Sequence, residues 1–140
     1  MDYRRFNNTI IARIDHGEEI LESMKQIALK ESITLANVNA LGAVNDITVG
    51  VFETKEKVYH ANEFHGDYEI VSLTGTITTM KGEYYAHLHM SAGDDKGNVI
   101  GGHLNKAVVS ATCEMVIQVL DGTVEREFSE EIGLNLLKFL

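Results

Sequence analysis

Apolar residues recur at helical spacing in one segment near the start of the chain. In DHGEEILESMKQIALKES the apolar positions form a single stripe, which consists of Ile20, Leu21, Met24, Ile27 and Ala28. Asp15 is followed three residues later by Glu18, a spacing typical of a capping box that places the start of a helix. We therefore predict one main amphipathic helix over about residues 17–31.

Most of the remaining chain is typical of β-strands. The segments rich in β-branched and aromatic residues are TIIARI, TLANVNAL, DITVGVFET, YEIVSLTGTITTM, EYYAHLHMSA, NVIGGHL, TCEMVIQVL and VEREF. The last segment, GLNLLKFL, fits either a final strand or a short docking helix. One helix among many neighbouring strands predicts an α+β fold with a largely antiparallel β-sheet.

Length and composition favour one domain over residues 1–140. The chain is 44% hydrophobic, enough for a core without disulfides, and Cys113 is its only cysteine. The first ten residues lack the apolar region of a signal peptide, and no apolar run approaches the ~20 residues that a membrane-spanning helix needs. We expect a cytoplasmic protein with no membrane partner.

The net charge argues against nucleic acid as a direct partner. The formal charge is −9, and the 12 basic residues are spread along the chain, with Arg4 and Arg5 as the only adjacent pair. Proteins that bind DNA or RNA need clustered lysine and arginine to neutralise phosphates. DNA binding is therefore not expected from electrostatics.

The segment YYAHLHMSAGDDKGNVIGGHL, residues 84–104, holds three of the six histidines. If residues 84–92 form a strand, the side chains alternate between an apolar and a polar face, and His87 and His89 share the polar face. Their Cα atoms are then about 6.6 Å apart, close enough for two imidazoles to converge on one ion.

The turn after this strand determines where His103 lies. A three-residue loop, Asp95–Gly97, pairs Asp94 with Asn98 and therefore places His89 opposite His103 on the same face. A two-residue loop would shift the register by one and turn His103 to the other face. The prediction that the three histidines meet depends on this loop length.

Three imidazoles with an open fourth position are the ligand set of many catalytic zinc sites. We predict that His87, His89 and His103 bind zinc or another divalent transition metal. The alternative is that His87 and His89 are ordinary polar-face residues and that His103 ends a strand. If a metal binds, it would act as a Lewis acid or activate water, and a small molecule is a candidate partner.

Two acidic residues are candidates for a pocket or for orienting an imidazole. Glu69 shares its predicted strand face with Val71 and Leu73, so it is paired, functional or at a strand edge that reaches solvent. Glu114 lies on the polar face of its strand and could hydrogen-bond a metal-bound histidine or be solvated. Cys113 faces the core as a small hydrophobe. The remaining histidines are interpreted as surface residues: His16 near the helix start, and His60 and His65 in a predicted loop.

The segments GDYEIVSLTGTI, AHLHMSAGDDKGNVIGGHL and ATCEMVI together resemble the PPC (plants and prokaryotes conserved) domain over nearly the whole chain. The resemblance implies an α/β protein with a mainly antiparallel sheet that forms a homotrimer and, in prokaryotes, is usually free-standing. It also implies metal binding, often of zinc, by the residues at His87, His89 and His103.

In plants this domain follows AT-hook motifs and is described as DNA-binding. Here the Arg-Gly-Arg-Pro core is absent, and the plant pattern Gly-Arg-Phe-Glu-Ile-Leu has Asp67 in place of its arginine. The main hypothesis is thus a metal-binding homotrimer, with the catalytic residues unknown. The alternative is a DNA-binding or regulatory protein-interaction module without catalysis.

Overall fold

The computed structural model describes all 140 residues, with one α-helix and eight β-strands. The elements in chain order are β1 (Asp2–Phe6), β2 (Thr9–Asp15), α1 (Ile20–Lys30), β3 (Ala36–Glu53), β4 (Val58–Met80), β5 (Glu83–Gly93), β6 (Val99–Val119), β7 (Glu125–Ser129) and β8 (Leu134–Lys138). Every strand pairing is antiparallel. The predicted α+β fold with one main helix is confirmed.

Four long strands close into a barrel. The main sheet has the order β1–β2–β6–β3–β4–β5, and β5 also pairs with β6, so that β3, β4, β5 and β6 form a closed ring. The β5–β6 pairing that closes the ring is short and runs from His89–His103 to Gly93–Val99. The histidine segment therefore lies at the closure of the barrel.

Strands β3 and β6 each join two segments that the sequence pattern predicts as separate strands. β3 continues through irregularities in its pairing near Gly42 and between Val44 and Asp46. β4 likewise begins earlier than predicted, so that His60 and His65 lie in a strand and not in a loop. Both histidines are exposed, as predicted for surface residues.

The helix begins later than the capping pattern predicts. The Glu19 side chain caps α1 by accepting hydrogen bonds from the backbone N–H groups of Leu21 and Glu22. It also accepts one from the Ala107 N–H, which fixes the start of the helix on β6. Asp15 and Glu18 form a turn before the helix, where the Glu18 carboxylate accepts a bond from the Asp15 N–H.

The core fills the barrel and the space under α1. The predicted helix stripe is buried at Ile20, Met24, Ile27 and Ala28. Cys113 is fully buried in the same core, as predicted. The helix is too short and too polar to cross a membrane.

The last two strands form a separate hairpin, so GLNLLKFL contributes a strand. The hairpin is anchored at both ends on the barrel. The Glu125 carboxylate accepts a hydrogen bond from the Lys81 N–H at 2.7 Å, and the Lys57 ammonium donates one to the Glu130 carbonyl at 2.6 Å. The β7–β8 hairpin therefore links the β4–β5 turn to the β3–β4 turn.

Candidate metal centre

The loop between β5 and β6 has the predicted length. The Asp94 N–H donates to the Asn98 carbonyl at 2.9 Å, and Gly97 has the left-handed backbone, φ +80°, that a three-residue hairpin loop requires. The Asp94 carboxylate also accepts bonds from the N–H groups of Lys96 and Asn98, which rigidify the loop. His89 consequently lies directly opposite His103.

The three imidazoles converge on the outer face of the barrel. Ring centroids are 5.1 Å apart for His87 and His89, 5.2 Å for His87 and His103, and 5.7 Å for His89 and His103. One ring nitrogen from each residue lies within 4.8 Å of the other two. In a tetrahedral zinc site with bonds of 2.0–2.1 Å, ligand nitrogens are about 3.4 Å apart. The difference is at most about 1.4 Å, so the three residues are a fitting ligand set for a bound ion.

The surroundings favour the neutral form of the imidazoles, which is the form that binds metals. Burial lowers the pKa of His87, and the positive charges that His103, His89 and Arg126 can carry lower it further. Burial also lowers the pKa of His103, with a smaller contribution from His89. A lone pair is therefore available on these two rings at neutral pH.

Glycines allow the backbones beside the histidines to approach closely. A Cβ atom on Gly75 would lie 2.0 Å from the His87 carbonyl oxygen, and one on Gly102 would lie 2.5 Å from the Gly50 carbonyl oxygen. A Cβ atom on Gly101 would lie 2.6 Å from the Met90 carbonyl. Gly101 and Gly102 thus allow close backbone packing, which keeps His103 close to β5 and β3.

Comparison with known proteins agrees with this architecture. The Plants and Prokaryotes Conserved domain, abbreviated PCC or PPC, matches residues 1–121. The chain belongs to the PCC domain family. No curated protein matches it.

Solved structures resemble the PCC domain over almost its whole length. A protein from Bacteroides thetaiotaomicron, described as a candidate DNA-binding protein, is 28% identical, with a TM-score of 0.96 and coverage of 99% of this chain and 96% of that one. A metal-containing protein from Archaeoglobus fulgidus is 28% identical, with a TM-score of 0.87 and coverage of 99% of both chains. A plant- and prokaryote-conserved protein from Pyrococcus horikoshii is 31% identical, with a TM-score of 0.85 and coverage of 99% and 94%.

Two further side chains border the histidines in this PCC domain, and the sequence pattern did not select either. The Tyr59 hydroxyl donates its one O–H to the Asn105 side-chain oxygen and lies 3.3 Å from the His103 carbonyl oxygen, while its ring meets the His103 ring edge-on at 5.8 Å. The guanidinium carbon of Arg126 lies 4.6 Å from the centre of the Tyr85 ring, two residues before His87. Both are distant in sequence from the histidines, so only the fold brings them there.

The two candidate acids do not lie with the histidines of the PCC domain. Glu69 pairs with Gly93, which is four residues from His89 and hence about 13 Å along the strand. It is exposed, because an irregularity between Ile70 and Ser72 turns Glu69 and Val71 outward while Leu73 stays buried. The predicted shared face of Glu69, Val71 and Leu73 is therefore wrong.

Glu114 is also remote from the three histidines. It lies in the distal half of β6, between Arg13 of β2 and Leu41 of β3, and its side chain is exposed. The cluster of potential ligands consists of the three histidines alone, with no carboxylate among them. We infer that neither glutamate orients an imidazole.

Loss of stability in mildly acidic solution is expected for the metal-free protein. Because the folded-state pKa values of His87 and His103 lie below the ordinary imidazole value of 6.5, the unfolded chain binds more protons than the folded chain as the pH falls through that value. The stabilising contribution is complete above pH 6.5 and is lost as the pH falls toward the folded-state values. Urea unfolding between pH 7.5 and 5.5 measures it.

Two glutamine variants, one a test and one a control, assign this pH effect to the histidine cluster. His87→Gln should flatten the dependence of unfolding free energy on pH, whereas His16→Gln, at an exposed position, should leave it unchanged. If the unfolding free energy of His87→Gln depended on pH as steeply as that of the wild type, the pH effect could not be assigned to His87.

Proposed function

We propose that this PCC domain binds one divalent transition-metal ion, with zinc as the first candidate, through His87, His89 and His103. The observation that carries the proposal is the convergence of one nitrogen from each histidine within 4.8 Å on one face of the barrel. Imidazole nitrogen suits zinc, copper, iron and nickel, and three protein ligands leave a position open to water or a small molecule. The similarity to a metal-containing protein supports the same function.

The bound ion would supply Lewis-acid chemistry at the open position. The protein residues hold the ion at the closure of the barrel, and burial keeps His87 and His103 unprotonated. The proposal concerns binding and does not depend on catalysis.

Metal analysis of the purified protein tests the site. Protein prepared without a chelator should contain close to one metal ion per chain, and chelator-stripped protein should take up one equivalent of zinc. His87→Ala should lose this stoichiometric binding and remain folded, because the side chain lies on the outer face of the barrel. His60→Ala, which removes an exposed histidine of β4, is the control that should bind normally. Wild-type protein that neither contains nor takes up a metal would refute the proposal.

A homotrimer is the proposed assembly. The family resemblance implies it, and the surface carries many exposed apolar side chains that self-association could cover. They include Phe6, Leu41, Val51, Val71, Phe128, Leu137 and Phe139. Light scattering after gel filtration should give three times the chain mass of 15.5 kDa. A monomer at micromolar concentration would exclude the trimer.

A cytoplasmic location is proposed from the chemistry of Cys113. This single cysteine is free and buried, and burial raises the pKa of its thiol to about 12. A protein without disulfides is suited to a reducing compartment. Fractionation of cells that express the protein would test the location.

DNA is a weak candidate partner for this chain, although two relatives are described as candidate DNA-binding proteins. The net charge is −9, and the only adjacent basic pair is already neutralised, because Arg4 bonds to Asp2 and Arg5 approaches Glu31. We expect no binding to duplex DNA at 50 mM salt. Binding at low salt that weakens steeply as salt rises would show a phosphate-binding surface and would reverse this expectation.

A further inference from the structure

A buried arginine without a carboxylate partner lies beside the proposed metal centre. The Arg126 side chain, on β7, has only 8% exposure. Its Nε–H donates to the Thr78 hydroxyl at 2.9 Å, and one Nη1–H donates to the Asn135 carbonyl at 2.9 Å. Both acceptors are neutral, and no carboxylate lies within ion-pair distance. Buried charges are normally paired, so this guanidinium is an exception that calls for a partner.

The fold places this charge on the same side of the barrel as the histidines. Arg126 stacks on Tyr85, and Tyr85 precedes His87 by two residues on the same strand face. Side chains two residues apart on a strand are about 6.6 Å apart. The hairpin that carries Arg126 is fixed to the barrel at both ends, by Glu125 and by the Lys57–Glu130 contact, so the guanidinium is held in place.

The hydrogen-bonding capacity of Arg126 is only partly used. A guanidinium has five N–H donors, and two of them have acceptors here, which leaves three (5 − 2). With a divalent ion bound to three neutral imidazoles, the metal and Arg126 together carry a charge of +3, and the group of potential metal ligands includes no carboxylate. An anion is the ligand that this combination attracts.

The shape of the site favours an organic carboxylate over a simple inorganic anion. A planar guanidinium matches the two oxygens of a carboxylate. The Tyr59 ring meets the His103 ring, and Tyr85 lies two residues before His87 on the same strand face, so that both offer aromatic surface to a carbon skeleton.

We propose that Arg126 binds the carboxylate of a small organic acid that occupies the open coordination position beside His87. The inference rests on the metal site proposed above. It concerns a hairpin that lies outside the family match, which ends at residue 121. Arg126 also has a structural role in holding the hairpin, so the test must separate that role from anion binding.

Absorption spectroscopy of the cobalt-loaded protein provides the test, because visible Co²⁺ bands change when a ligand enters the coordination sphere. We expect sodium benzoate to change the spectrum of the wild type with saturation at a Kd of about 1 mM or lower. Benzamide, which has the same ring without the charge, and inorganic phosphate should each bind at least about tenfold more weakly.

Variants then assign the effect to Arg126. Arg126→Gln should weaken benzoate binding about tenfold or more while cobalt stoichiometry stays at one. Arg126→Lys keeps the charge without the planar guanidinium, so its benzoate affinity should lie between those of the wild type and Arg126→Gln. Arg13→Gln, at an exposed position, should bind benzoate as the wild type does. A purely structural role would leave the benzoate affinity of cobalt-loaded Arg126→Gln unchanged, and that result would overturn the proposal.

The remaining outcomes are also decisive. If Arg126→Gln does not fold, the wild-type comparison of benzoate with benzamide decides, and equal affinities would overturn the proposal. Phosphate binding more tightly than benzoate would overturn the choice of an organic acid. Cobalt binding without any response to benzoate would refute this inference and leave the metal site intact, whereas failure to bind cobalt would refute both.

Discussion

His103→Ala is expected to lower zinc affinity by about two orders of magnitude or more. Loss of a group that only supports a metal ligand commonly costs 10–100-fold in affinity, and His103 is proposed as a direct ligand. It is also the only one of the three on β6, so its loss leaves two ligands on a single strand. Competition with a chromophoric chelator measures the affinity.

The control for this substitution is His65→Ala. His65 is an exposed histidine of β4 that approaches Asp46 at 3.3 Å and lies outside the metal cluster. The His65→Ala variant should bind zinc with the affinity of the wild type. If His103→Ala retained wild-type affinity, the ion would have to be held elsewhere, and the three-histidine assignment would fail.

Gly75→Ala is expected to destabilise the fold by about 3 kcal/mol or more and to disrupt the metal centre with it. The added methyl would lie 2.0 Å from the His87 carbonyl oxygen and 2.7 Å from the Leu88 Cα. Both atoms belong to the backbone of β5, so neither can rotate away. β4 and β5 would have to separate at the residues that carry His87 and His89. Urea unfolding of the metal-free protein measures the loss.

Gly93→Ala is the matched control for this effect. Gly93 lies in β5, and a Cβ atom there would come no closer than 3.6 Å to any neighbour, which is ordinary contact. Its substitution should change the unfolding free energy by about 0.5 kcal/mol or less. Equal stability of Gly75→Ala and Gly93→Ala would show that the strands at Gly75 are not held as closely as described.

The meeting of the three histidines could be predicted from the sequence because it depends on local rules. Alternation along one strand places His87 and His89 on one face, and a three-residue turn with glycine at its last position sets the register of His103. Both rules act within 20 residues. No knowledge of the remaining chain is needed.

The features that the sequence did not predict depend on irregular or distant pairing. A β-bulge adds one residue to one of two paired strands, and the alternation of apolar and polar residues in the sequence does not reveal it. The alternation therefore assigned Glu69 to the wrong face of β4. β3 and β6 each continue as one strand because their pairing shifts register without ending where the apolar pattern breaks. Arg126 reaches the site only through the β7–β8 hairpin, and Tyr59 only through the start of β4. Both are contacts of long sequence separation that periodicity does not record.

A bound metal would reinforce the short pairing of β5 with β6. Only the pairs from His89–His103 to Gly93–Val99 close the ring of strands, and the two residues of the His89–His103 pair, at one end of this pairing, would both bind the ion. A coordinated ion would therefore hold β5 and β6 together at the point where the barrel closes. Removal of the ion should make the amide hydrogens of the β5–β6 pairing exchange with solvent faster, while those of the long β3–β4 ladder keep their protection.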